Sequence, residues 1–73
     1  MGKKQNRKNI LDLHGVKHED VERLVENFVL LNEPPLTIIT GKSDKMSNIV
    51  LSTLNKHRIN WELFTWGEVK VLK

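Results

Sequence analysis

The sequence predicts a two-layer α/β (α+β) sandwich of order β-α-β-α-β-β, a four-stranded mixed sheet with two helices on one face. Three observations carry that prediction. Two stretches repeat apolar residues at helical spacing, each follows a short apolar run ended by a glycine turn, and the chain closes on two alternating segments joined by Trp66-Gly67. Seventy-three residues leave room for one domain, and a composition 38% apolar and 29% charged suits a globular chain.

Residues 1–9 (MGKKQNRKN) hold Lys3, Lys4, Arg7 and Lys8 and no acid, so the net charge of +3 resides in a basic, flexible tail. The remainder, a domain over residues 10–73, carries eight Lys/Arg against nine Asp/Glu and is close to neutral. A basic arm on a near-neutral body suits docking on nucleic-acid phosphates. A solvated terminus is the plainer reading of the same charges.

Ile10-Leu11-Asp12-Leu13 reads as a first strand ended by His14-Gly15. Over residues 18–33, Val21, Leu24, Val25, Phe28 and Val29 form one stripe of an amphipathic helix. Glu19, Asp20 and Glu22 suit its dipole, although Lys17 stands where a Ser, Thr or Asp cap is expected. Pro34-Pro35 stops it, because neither residue can donate a backbone hydrogen bond. Residues 36–40 (LTIIT) are β-branched and bounded by Pro and Gly, hence a second strand. After the loop Gly41-Lys42-Ser43-Asp44, a second helix over residues 45–57 places Met46, Ile49, Val50, Thr53 and Leu54 on one face, with Ser43 or Asp44 as its cap. Residues 60–65 (NWELFT) alternate, Trp61 and Leu63 to one side and Glu62 and Phe64 to the other. Residues 68–72 (EVKVL) return as the antiparallel partner in a hairpin. Two crossovers stepping the same way across the sheet put both helices on one face and leave the other open to water or a ligand.

Several function classes drop out. Without cysteine there are no disulfides, thiolate zinc sites or cysteine nucleophiles. His14 and His18 straddle a strand–helix junction and make no helical metal pair. Gly41-Lys42-Ser43 imitates the end of a P-loop, but Leu36 occupies the position of its upstream glycine. No apolar run approaches the roughly 18 residues of a membrane span, and the basic N-terminus has no apolar segment of a signal peptide behind it. A cytoplasmic monomer is the default expectation, with a protein partner left open.

The chemistry gathers where the first two strands end. Parallel strands bring their carboxyl ends to one edge of the sheet, where ligands of open α/β sheets collect. Asp12-Leu13-His14-Gly15 and Thr40-Gly41-Lys42-Ser43 meet that edge, each ahead of a helix N-terminus whose amides attract anions, with Lys42 and Lys45 adding charge. The period of two puts Asp12 and His14 on the same side of the strand. An Asp beside a His orients the imidazole for proton transfer near neutral pH, so the pair can deprotonate a ribose hydroxyl or protonate a leaving oxygen in phosphodiester cleavage. The alternative is structural, with Asp12 capping a loop and His14 packing on Trp61 or Trp66. His57, at the end of the second helix, suits its dipole. Trp61, Phe64 and Trp66 offer stacking surfaces for bases, though a domain this small needs some of them for its core.

Leu11-Asp12-Leu13-His14-Gly15, the amphipathic helix, Ile38-Ile39-Thr40-Gly41-Lys42-Ser43, the second helix and the hairpin together resemble the Smr (small MutS-related) domain family over residues 10–72. The second motif usually reads H-G-x-G in the family. Here Thr40 takes the first position and Ser43 the last, and the family's glycine-rich loop before the final strand is shortened to Trp66-Gly67, as in a divergent, minimal member. The resemblance implies a fold like the C-terminal domain of bacterial translation initiation factor three. It also implies nucleic-acid binding, DNA or RNA, with endonuclease or nicking activity in several members. By position, Asp12 and His14 would then be the catalytic or substrate-contacting residues of the first motif, and Thr40, Gly41, Lys42 and Ser43 would form the second. The anion corner read from the residues adds Gly15 and Lys45 as phosphate contacts. No resident cofactor is expected, and a need for divalent magnesium or manganese stays open. The alternatives to an endonuclease are a non-catalytic nucleic-acid or ribonucleoprotein binding module and a protein-interaction adaptor.

Overall fold

The computed structural model describes residues 9–72, so the tail cations Lys3, Lys4, Arg7 and Lys8 lie outside the described residues. Six elements follow in the expected order: β1 (Ile10–Asp12), α1 (His18–Leu31), β2 (Leu36–Ile39), α2 (Asp44–Lys56), β3 (Trp61–Thr65) and β4 (Glu68–Val71). They form one four-stranded sheet of order β1-β2-β4-β3, in which β1 and β2 are parallel and β4 is antiparallel to both β2 and β3. The steps from β1 to β2 and from β2 to β3 run the same way across the sheet, so both helices lie on one face, as expected.

One apolar cluster holds the two layers together. Leu11, Leu13, Leu36, Ile38, Val69 and Val71 point inward from the sheet and meet Val21, Val25 and Phe28 of α1 and Met46, Val50 and Leu54 of α2. In β1, β2 and β4 every second residue is buried because side chains alternate across the pleat. Thr53 is the polar member of the α2 stripe, and its hydroxyl donates to the Ile49 carbonyl at 2.8 Å, which removes the cost of burying it. Among the three aromatics proposed for stacking, Trp61 packs against the core and donates its indole N–H to Asn55 Oδ1 at 2.9 Å. Phe64 and Trp66 stay exposed.

The ends of several elements differ from the sequence expectation. Helix α1 stops at Leu31, before Glu33, where Asn32 turns extended and its side-chain amide donates to the Phe28 carbonyl at 2.9 Å. Lys17 offers α1 no side-chain cap, whereas Ser43 caps α2 by accepting the Met46 amide at 3.1 Å. Strand β3 does not alternate to its end. Leu63 faces Val69 and Thr65 faces Glu68, so Phe64 is an extra residue in a bulge. Edge strands commonly carry such bulges, which twist the edge away from further pairing.

A polar seam joins the two helices outside the core. Lys56 pairs with Glu22 and lies 3.8 Å from Glu26, whose carboxylate meets His57 Nε2 at 2.8 Å. The His57 hydrogen bond is the main reason the Glu26 carboxyl sits below its ordinary value of 4.5; desolvation opposes it, and the charges of Lys56 and His57 add smaller lowering effects. A depressed carboxyl contributes stability above its unfolded value and loses that contribution as pH falls through the folded one. Thermal melts followed from neutral pH to below 4.5 are therefore expected to fall in the parent and to fall less in Glu26→Gln. Equal slopes in the two proteins would remove the seam from the account.

Candidate functional site

The first motif folds into a tight turn at the end of β1. The Val16 amide donates to the Leu13 carbonyl at 3.1 Å, and Gly15 takes the third position of this turn with φ +77°. That left-handed conformation is strained for any residue with a Cβ. Leu13 is driven into the core, and the alternation exposes its neighbours, leaving the Asp12 and His14 side chains 39% and 68% accessible. The two touch. Asp12 Oδ1 accepts the His14 backbone amide at 3.0 Å and lies 2.6 Å from the ring Nδ1. The backbone hydrogen bond is the main reason the Asp12 carboxyl sits below its ordinary value. The ring hydrogen bond and charge add to that effect, and partial desolvation opposes it.

An ionised Asp12 can only accept, so Nδ1 carries the proton in this contact. The remaining nitrogen, Nε2, is the atom able to exchange a proton with a ligand. Asp12 thus fills two roles that the sequence offered as alternatives, tying the loop backbone and orienting the ring. His14 does not pack into the interior.

The second motif forms the opposite wall. A Cβ built on Gly41 would lie 3.3 Å from His14 Nε2, tighter than ordinary van der Waals contact, and Gly41 has φ +71°. Glycine suits this position for its backbone conformation, and a Cβ there would also crowd the imidazole. The two turns do meet in space. Lys42 is exposed beside them and holds its ammonium 5.9 Å from the centroid of the Trp66 ring.

A third segment completes the corner, and its position was not foreseen. The Gly67 carbonyl accepts both the Thr40 amide at 2.8 Å and the Gly41 amide at 3.2 Å. The register of β2 with β4, in which Ile39 faces Glu68, brings the β3–β4 turn against the second motif. This changes the division of labour among the residues expected to contact phosphate. The Thr40 and Gly41 amides are already engaged. Thr40 is 4% exposed, and its hydroxyl meets the Gly41 carbonyl at 3.0 Å and Ser47 Oγ at 3.1 Å, so it braces the loop. Ser43 spends its oxygen as the α2 cap, in an extended conformation (φ −128°) that needs no glycine. Gly15, Lys42 and Lys45 are exposed, with Lys45 in the first turn of α2.

Among the described residues, no three His, Asp or Glu side chains converge as a metal-binding set. Asp12 alone is a meagre donor set for magnesium or manganese. Among the described residues, no helix is long and apolar enough to cross a membrane.

No protein-family model matches the sequence, and no curated protein is similar enough to stand as a relative. Solved structures are more informative. The chain is similar to the solution structure of the SMR domain of NEDD4-binding protein 2, with TM-score 0.61 and 23% identity over 96% of this chain and 90% of that one. It is also similar to the crystal structure of a human small-MutS related domain, with TM-score 0.60 and 27% identity over 86% of this chain and 99% of that one. The likeness spans nearly all of each partner, and it joins the same order of strands and helices that the motifs implied. The chain folds as a small MutS-related (Smr) domain.

Proposed function

We propose that this domain binds nucleic acid by seating a phosphodiester in the corner between the two motif turns, and that the Asp12–His14 pair performs acid–base chemistry on it. The observation that carries the reading is the imidazole itself. It is held by Asp12 through Nδ1, and its Nε2 lies beside Gly41, the residue before Lys42. In its neutral form, Nε2 takes a proton from an attacking oxygen, a ribose hydroxyl or a water. In its charged form, Nε2 gives a proton to the departing oxygen. Lys42 and Lys45 supply the positive charge that draws a phosphate there, and the four cations of residues 1–9 add sequence-independent affinity.

One observation favours a second reading, binding without cleavage. The Thr40 and Gly41 amides are tied to Gly67 and are not free to stabilise the charge that develops on phosphorus during displacement. Incubating the full chain with labelled single- and double-stranded DNA and RNA, scored for both cleavage and retention, separates the two. A protein interaction surface remains if neither occurs.

Lys42→Ala is expected to weaken retention of every nucleic acid tested and to reduce the slope of log affinity against log salt by about one. An unchanged slope would take Lys42 out of the phosphate contact.

A further inference from the structure

Beside the corner runs a groove of about 670 Å³ between α2 and the β3–β4 hairpin, walled by Asp44, Ser47, Asn48 and Leu51 on one side and by Leu63 and Trp66 on the other. We propose that this groove receives an unpaired nucleobase, which would make single-stranded nucleic acid the preferred ligand. The inference rests on the phosphate reading of the corner and deepens it.

The walls have the chemistry of a base site. Leu51, Leu63 and Trp66 offer apolar and aromatic surface to a flat ring, while Ser47, Asn48 and Asp44 offer hydrogen-bonding groups to its edge. Trp66 is 66% exposed, so its ring face is available without unpacking the core. The volume falls in the range of about 300–1,000 Å³ usual for small-ligand sites.

Charge decides which part of a nucleotide enters. Asp44 and Glu68 border the groove, and their carboxylates repel a phosphate but not a neutral base. Outside it Lys42 supplies a positive charge, its ammonium over the Trp66 ring, and the His14 imidazole lies beyond Gly41. The two compartments adjoin. A Cβ on Gly67, which lines the groove, would lie 3.3 Å from the Gly41 backbone, and one on Gly41 would lie 3.3 Å from His14 Nε2. A base in the groove therefore leaves its own backbone beside the corner. A paired base is held in its stack and reaches the groove only if it is first extruded, which costs affinity.

The test titrates the full chain against labelled oligo-dT and oligo-U strands and against the duplexes these form with their complements, read by fluorescence anisotropy. Single strands are expected to bind about tenfold or more tightly than duplexes. Trp66→Ala is expected to weaken single-strand binding by about tenfold or more, with Trp66→Phe restoring most of it. Duplex binding and the melting temperature should not change in either variant. Equal affinity for the two forms, or full single-strand affinity in Trp66→Ala, overturns the proposal and leaves the groove to a protein segment. If Lys42→Ala still weakens both forms while Trp66→Ala is silent, the groove alone fails and the corner stands. If no strand binds in any form, the corner fails with it.

Discussion

Replacing His14 by alanine is expected to lower phosphodiester cleavage by ~10²–10⁴-fold, the usual contribution of a positioned general acid or base, while retention of the same nucleic acid changes little. The separation follows from where the ring sits. Its side chain is 68% accessible and contributes no core contact, so the melting temperature should hold. The charges of Lys42 and Lys45, which we propose draw the phosphate, are untouched. Asp12→Asn should give a smaller loss, because the amide still lies beside Nδ1 but no longer favours a protonated nitrogen there. Gel assays of cleavage and filter assays of retention on matched substrates check both. Equal cleavage by the parent and His14→Ala would remove the histidine from the chemistry. A parent that retains strands and cuts none would leave the non-catalytic reading.

Ile38→Ala is expected to cost ~2–5 kcal/mol, the range for removing a fully buried branched side chain together with the cavity it leaves. Ile38 is 0% exposed, sits in β2 between β1 and β4, and faces both helices across the cluster. A domain of this length has a total stability of only several kcal/mol, at roughly 0.05–0.15 kcal/mol per residue, so one such loss consumes much of it. Thermal unfolding followed by circular dichroism should show a midpoint lower by ~10 °C or more. Ile39→Ala, on the open face and only half-buried, should shift it far less. Similar midpoints for the two variants would mean that the helices do not cover the Ile38 side of the sheet.

The two positions also show how the sequence could be read. In β2 the residues alternate buried and half-buried along LTII, and from β1 into the turn after it the same alternation sends Leu11 and Leu13 inward and Asp12 and His14 outward. Side-chain direction along a strand is a local property, so the Asp12–His14 contact was legible before any tertiary structure was known. The helical stripes were legible for the same reason, since a period of 3.6 is written in consecutive residues. The cap of α2 narrowed to two residues by sequence alone, and geometry chose Ser43.

Strand neighbours are another matter. Alternation says which face a residue takes and nothing about which strand lies beside it. The hairpin was evident from Trp66-Gly67, yet either of its strands could have paired with β2. The structure places β4 there, where Val69 and Val71 complete the core while the more exposed β3 takes the edge. From that one placement come the Gly67 carbonyl that occupies the Thr40 and Gly41 amides, the nearness of Trp66 to Lys42, and the groove along α2. The bulge at Phe64 likewise belongs to a pairing register rather than to the residue.

The sequence by itself determined the order of elements and the inward faces of β1, β2, β4 and the two helices, and it put Asp12 and His14 on one side of the chain, because these depend on periodicity and on residues two apart. Only the tertiary structure decided that His14 rests on Gly41 and that the Trp66-Gly67 turn closes the corner. Those contacts join residues 26 or more positions apart, whose meeting is set by the packing of the whole sheet.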